Sequence, residues 1–277
     1  MRIVVVSSLI FRVALLVCFS ITVSWQATEI VVPEHEFPAY ELYNQGVALQ
    51  TKGDVGGAIA AYKKAIELKA DLFEAYNNLG FLYGVSGDKV AAMEMYRTAV
   101  HVTDGKDPRA ADALSNLGNS IHTQAKKNFL AIEEAMGYFE AALAADPGHA
   151  EATFNLGKAF EDLGQVAEAA LWYERALGLR ARHPHAQMNL ANLRLGAGDA
   201  AGATALLEDL LQEGDLEPKT RKEVLCNLGQ ARRQQGDHAA ALRAFAEARD
   251  LMPDAPTAAY FVLLAARTLC RWEELEG

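Results

Sequence analysis

Residues 150–183 read AEATFNLGKAFEDLGQVAEAALWYERALGLRARH, and the rest of the chain aligns on this stretch. Unit positions 4, 7 and 11 (Thr153, Leu156 and Phe160) fall on one face of a first helix. Gly164 at position 15 is suited to break that helix in a tight turn. Positions 20, 24 and 27 (Ala169, Tyr173 and Ala176) then share one face of a second helix. The Leu-Gly pair at positions 7 and 8 recurs as Leu79-Gly80, Leu117-Gly118 and Leu228-Gly229, with Gln45-Gly46 and Leu190-Ala191 as variants. Gly53, Gly87, Gly198 and Gly236 repeat the turn glycine. The aligned units are 39–72, 73–106, 111–149, 150–183, 184–217 and 222–255.

One such helical pair cannot bury its own apolar face, so the units must stack. Small residues at positions 8, 20 and 27 let helices approach, and a large side chain there would overpack. Pro147 and Pro253 fall where second helices end. About five extra residues near Thr123–Leu130 are expected to lengthen the inter-helix turn of the third unit. Four extra residues, 107–110 and 218–221, precede the third and sixth units. The fifth unit reads as degenerate, with Leu207 and Leu210 where an aromatic residue and Ala are usual.

This unit resembles the tetratricopeptide repeat (TPR) family. The resemblance implies an all-α solenoid: a right-handed superhelix of about six helix-turn-helix units whose first helices line a concave groove. Residues 256–277 are expected to form a capping helix, with Thr257 at its start.

Composition agrees with a helical array. Fifty of the 277 residues are Ala, the best helix former, and only 8% are aromatic. The formal charge of −10 argues against a nucleic-acid partner. Arg2 and Arg12 are the only charges before Glu29, and an apolar run, Val13 to Val23, follows Arg12. Residues 1–24 therefore read as a signal peptide or signal anchor, with a transit peptide as the third option, and 25–38 as an extended linker. Either signal reading sends the chain to the secretory pathway lumen or the extracellular side, membrane-anchored if residues 1–24 stay attached. Cys226 and Cys270 are expected as buried free thiols, and His183 and His185 as exposed loop histidines.

Catalytic motifs, cofactor loops and metal-ligand spacings are not found, so no catalytic residue, cofactor or metal is assigned. Unit position 6 is instead Asn throughout: Asn44, Asn78, Asn116, Asn155, Asn189 and Asn227. An amide carries donor and acceptor, so a row of Asn can hold an extended peptide backbone, about one Asn per three residues of ligand. Otherwise the row only solvates the groove or bonds neighbouring helices. Position 2 carries Glu74, Asp112, Glu151 and Glu223, an acidic rim suited to a neutral or basic protein segment. The same carboxylates also suit the first turn of a helix.

Leu269, Cys270 and Trp272 resemble the Leu-Cys-Asp-Trp segment that follows the repeats in O-GlcNAc transferase-like proteins, with Arg271 in place of Asp. In that family the Asn ladder contacts the substrate backbone. The expectation is a protein-interaction module rather than an enzyme. The alternative is the substrate-recognition region of a truncated UDP-GlcNAc-dependent protein O-glycosyltransferase. An assembly scaffold with an empty groove is the third reading.

Overall fold

The computed structural model describes residues 37–251, apart from 106, 126–127 and 213–215. The segments 1–24 and 256–277, Leu269, Cys270 and Trp272, and most of the 25–38 linker lie outside the described residues. Twelve helices and no strand occur among the described residues, in six consecutive hairpins. They are α1 (Phe37–Thr51) with α2 (Val55–Leu68), α3 (Phe73–Val85) with α4 (Lys89–Val102), and α5 (Ala110–Ala125) with α6 (Phe129–Ala145). Next come α7 (Ala150–Asp162) with α8 (Val166–Leu179), α9 (Pro184–Gly196) with α10 (Ala200–Gln212), and α11 (Pro218–Gln234) with α12 (His238–Leu251). Each second helix also packs on the next first helix, and first helices touch one another where α3 meets α5, α5 meets α7 and α9 meets α11. The result is the all-α solenoid that the repeat implied.

The turns follow from two residues. Gly53, Gly87, Gly164, Gly198 and Gly236 all adopt φ between +77° and +88°, where a side chain is strained. In four of these turns the next residue caps the second helix: Asp54, Asp88, Asp199 and Asp237 accept from the backbone N–H of Gly57, Ala91, Gly202 and Ala240.

Inside each hairpin the position-24 side chain lies across the position-8 residue. A Cβ on Gly46, Gly80, Gly118 or Gly157 would come within 2.6–2.7 Å of the ring of Tyr62, Tyr96, Phe139 or Tyr173. Gly229 meets Phe245 in the same way. The fifth unit breaks both halves of the rule together: Ala191 replaces Gly and Leu207 replaces the ring, and both are fully buried. Its degeneracy is therefore a compensated exchange, in which a smaller partner leaves room for a methyl group.

The helix bounds refine the sequence reading at three places. The extra residues of the third unit do not lengthen its turn. The second unit has three residues between its helices (86–88), and the third also has three (126–128). The insertion instead adds to both helices, because Thr123–Ala125 and Phe129–Ala131 contain no helix breaker. Residues 218–221 likewise form the first turn of α11, where Pro218 at the start lacks only an N–H that has no helical partner. Finally, α1 opens at Phe37, two residues before the first unit was expected to begin, and Pro38 sits in its first turn.

The ring-on-glycine contact can be tested directly. Gly229→Ala should cost ~1–3 kcal/mol through overpacking. Phe245→Leu in the same chain should recover part of that loss, reproducing the Ala191–Leu207 pairing. Urea titrations of the two single variants and the double variant would show this as non-additivity. Strictly additive losses would mean that the two positions do not share the space.

Candidate functional site: the face of the first helices

The six position-6 amides share a register but not a chemical state. Asn78 donates both amide hydrogens, to the hydroxyls of Tyr43 (3.3 Å) and Tyr62 (3.2 Å). Tyr62 in turn donates to Gln50 Oε1 at 2.9 Å, which fixes its hydroxyl as the acceptor for Asn78. Asn189 repeats the arrangement: it donates to the Tyr173 hydroxyl (3.0 Å), which donates to Glu161 at 2.5 Å. Asn116 donates to Asn77 Oδ1 on the preceding first helix, at 3.2 Å. Asn155 and Asn227 follow Phe139 and Leu207, which have no hydroxyl to offer. Asn155 is buried, Asn189 and Asn227 are half-buried, and Asn44 is exposed. Asn78 thus presents only its carbonyl oxygen to anything lying along this face.

The tyrosines that hold these amides are themselves perturbed. Burial pushes the Tyr43 hydroxyl up to about 12, with Tyr62 and Glu74 adding to the effect. Burial, then the bond to Glu161, pushes Tyr173 further in the same direction. Both remain neutral hydrogen-bonding groups throughout the physiological range.

The acidic rim is partly consumed within the molecule. Asp112 Oδ1 lies 3.0 Å from His149 Nε2, and Glu151 Oε2 lies 2.9 Å from His183 Nε2. Both histidines cap the next first helix: Nδ1 of His149 accepts from Ala152 N–H (3.0 Å) and Nδ1 of His183 from Ala186 N–H (3.3 Å). With Nδ1 accepting, the proton of the neutral ring sits on Nε2 and is donated to the carboxylate. Each histidine therefore ties two successive first helices together. His183 is buried and lies against the Phe154 ring, with centroids 4.7 Å apart. This corrects the exposed-loop expectation for His183, because the capping bond draws its ring inward; His185 is exposed. Glu74 and Glu223 are half-buried on α3 and α11.

The remaining lining differs along the array. Val47 on α1 and Phe81 on α3, both at position 9, are exposed, as is Val85 at the end of α3. Asn119 and Asn192 hold position 9 on α5 and α9, and both are exposed. Between α9 and α11 an open cleft of about 750 Å³ is lined by Asn192, Leu195, Gly196, Gln230, Arg233, Gln234 and His238.

Cys226 is a buried free thiol, as expected, and burial raises its pKa; Cys18 and Cys270 lie outside the described residues. No group of three or more His, Cys, Asp or Glu among the described residues is placed to hold a metal ion. No described helix is long and apolar enough to cross a membrane.

Sequence reasoning missed the tyrosine hydroxyls and the capping histidines. Their signals were present: Tyr62 and Tyr173 recur at position 24, and His149 and His183 stand 34 residues apart, one repeat length. The cleft residues had no signal, since Gln230, Arg233 and Gln234 are ordinary residues for an exposed helix face.

Comparison with known proteins agrees with the repeat reading. Residues 46–87 match a TPR repeat model, and residues 132–184 and 222–255 match two tetratricopeptide repeat models. The photosystem I assembly protein Ycf3 of Prochlorococcus marinus (strain NATL1A) is 29% identical over 90 residues, which is 31% of this chain and 50% of that protein. The chain thus spans about half the length of this relative. Among solved structures, Pseudomonas aeruginosa PilF superposes with a TM-score of 0.70 at 19% identity, covering 83% of this chain and 98% of that one. PilW, described as a widely conserved type IV pilus biogenesis factor, gives 0.66 at 19% identity, covering 80% and 97%. These two structural likenesses concern the fold.

The Glu151–His183 tie has a pH signature. The hydrogen bond from His183 holds the Glu151 carboxyl below its ordinary value of 4.5, against the opposing effect of burial. A carboxylate depressed in the folded state stabilises above its unfolded value, and that stabilisation is lost as pH falls through the folded one. Glu151→Gln should therefore lower the melting temperature at neutral pH and make the acid limb, about pH 5 to pH 3, shallower than in the parent chain. Superimposable acid limbs in thermal melts would show that the tie contributes nothing.

Proposed function

As this chain is a tetratricopeptide-repeat protein, we propose that its first-helix face binds an extended segment of a partner protein. The observation that carries this reading is the exposure of Val47 and Phe81 at position 9, on the same face as the amide row. Phe81 lies half out of the core, whereas the rings at position 24 are fully buried or nearly so. Val47, Phe81 and Val85 stand together on the first helices of adjacent repeats, and an exposed apolar group on one face suits a docked segment. The amides supply the second element. Asn78 offers a carbonyl oxygen to a ligand's backbone N–H, while Asn119 and Asn192 offer both donor and acceptor. Such contacts hold a main chain without reading its side chains, and the apolar positions then choose among segments. The matched relative Ycf3 is named as an assembly protein, and holding a segment of an assembling partner is the role proposed here. If residues 1–24 direct export, that partner is lumenal or extracellular.

Peptides selected by the full-length chain from a random 15-residue display library provide the test. Phe81→Asp should weaken them at least tenfold, while Leu171→Asp, an equally drastic change at an exposed site on the second-helix side, should leave affinity within twofold. Replacing Asn78, Asn116 and Asn155 together with Ala should also weaken binding in a chain that keeps its helical circular dichroism. Unchanged affinity in the triple variant would remove the amide row from the mechanism. Unchanged affinity in Phe81→Asp would overturn the groove itself.

A further inference from the structure

We propose that the inter-helix turns of the second to fourth hairpins form a membrane-contact edge, and that the third hairpin inserts its tip into the interface of a lipid bilayer. The proposal is independent of the groove, because its residues stand at the turns and not on the face that carries the amides.

Four large apolar side chains carry the argument. Val90 is 72% exposed, Phe129 61%, Leu130 76% and Val166 49%. Each stands in the first two residues of a second helix, α4, α6 or α8. At the second residue of α2, α10 and α12 stand Gly56, Ala201 and Ala239 instead. Successive hairpins stack in one direction, so their turns line one edge of the array. With neighbouring first helices ~10 Å apart, Val90 and Val166 flank Phe129 and Leu130 along roughly 20 Å of that edge. The third hairpin also projects beyond its neighbours, because Thr123–Ala125 extend α5 and Phe129–Ala131 extend α6. At ~1.5 Å per residue, the tip stands about 4–5 Å proud of the flanking turns. Apolar groups that lie in a bilayer interface enter it by ~5–10 Å, a comparable depth.

Shape and charge select lipid as the occupant. A rigid protein partner needs a matching pocket for a projecting apolar tip, whereas acyl chains part around one. Lysines accompany the apolar groups. Lys52 and Lys89 are exposed at the first and second turns, and the sequence places Lys126 and Lys127 just before Asn128. Carboxylates at the same edge are engaged: Asp54 and Asp88 accept from the N–H of Gly57 and Ala91, and Asp162 lies 2.9 Å from His122 Nε2. The exposed Glu133 and Glu134 stand about one turn behind the tip. Anionic headgroups therefore meet lysine at the level where the apolar side chains enter the acyl region. Where residues 1–24 stay attached, the run Val13 to Val23 adds a second attachment, and two together hold a chain on a bilayer far better than one.

Tryptophan fluorescence of the full-length chain tests this on vesicles of phosphatidylcholine and phosphatidylserine whose acyl chains carry bromine as the quencher. Leu130→Trp puts a reporter at the tip, and Leu179→Trp puts one at an exposed site at the far end of α8. Trp25, Trp172 and Trp272 are common to both, and the parent chain measures their share. The emission added by Leu130→Trp should fall at least twofold on brominated vesicles, while that added by Leu179→Trp should not change. Phe129→Asp in the Leu130→Trp chain should remove most of this quenching with helical circular dichroism kept. Lys89→Glu in the same chain should lower it severalfold, and unchanged quenching there would overturn the part assigned to anionic headgroups. Quenching no stronger at residue 130 than at 179 would overturn the membrane edge. So would a blue shift of the Leu130→Trp emission that grows with protein concentration without lipid, because it would assign the tip to a second copy of this chain.

Discussion

A ring resting on a glycine sets the geometry of this molecule. In five of the six hairpins an aromatic side chain from the second helix lies across the Cα of a glycine in the first, closer than any Cβ would allow. That contact fixes how near the two helices come, and the buried alanines at positions 20 and 27 then fill the narrow space left beside the ring. The helices are short, 13–17 residues, and helices of that length are marginal in water on their own. Their order comes from these contacts and from the stacking of each second helix on the next hairpin. The fifth hairpin shows what is conserved physically: Ala191 and Leu207 keep the volume and change both partners.

The same aromatic position reaches the face of the first helices. Where the ring is Tyr62 or Tyr173, its hydroxyl accepts from the Asn of the following repeat and donates to a side chain of its own first helix, Gln50 or Glu161. Where Phe139 or Leu207 stands instead, the packing role remains and the hydroxyl is gone. A hydroxyl at this position is not sufficient, since Tyr96 also carries one and Asn116 bonds Asn77 instead, but at Tyr62 and Tyr173 it takes up amide hydrogens of the following repeat. Core and groove are coupled through one oxygen atom, and a row of identical residues becomes a graded surface.

Much of this was legible in the sequence, because packing and turns depend on residue type at a fixed spacing. The turn glycines could be placed from their spacing alone, and they adopt the positive φ that such turns require. The third unit's insertion was misplaced because spacing counts residues without saying where they go. Thr123–Ala125 and Phe129–Ala131 can continue a helix, so the chain lengthens both helices and leaves three residues between them. His183 was misplaced for a different reason. Its burial depends on one ring nitrogen accepting a backbone N–H while the other meets Glu151 from the preceding repeat, a contact 32 residues away. The amide row was found as a pattern, but its unequal bonding rests on hydroxyls read only as part of a ring.

Net charge proves a poor guide to the face of the first helices. The carboxylates at position 2 stand at helix starts, where the helix dipole favours them, and two of them are drawn into ties with the histidines of the next repeat. Such ties spend acidic charge on holding repeats in register, and they neutralise part of the rim that the sequence suggested. What then distinguishes one end of the face from the other is the residue at position 9 and its neighbours: Val47 and Phe81 toward α1, Gln230 with Arg233 toward α11. A repeat array keeps its backbone constant and varies a few positions per unit, so recognition is written as a sequence of local chemistries along its length. Here position 9 runs from apolar Val47 and Phe81 through Asn119, Lys158 and Asn192 to Gln230, so neighbouring repeats offer different chemistry on one constant frame.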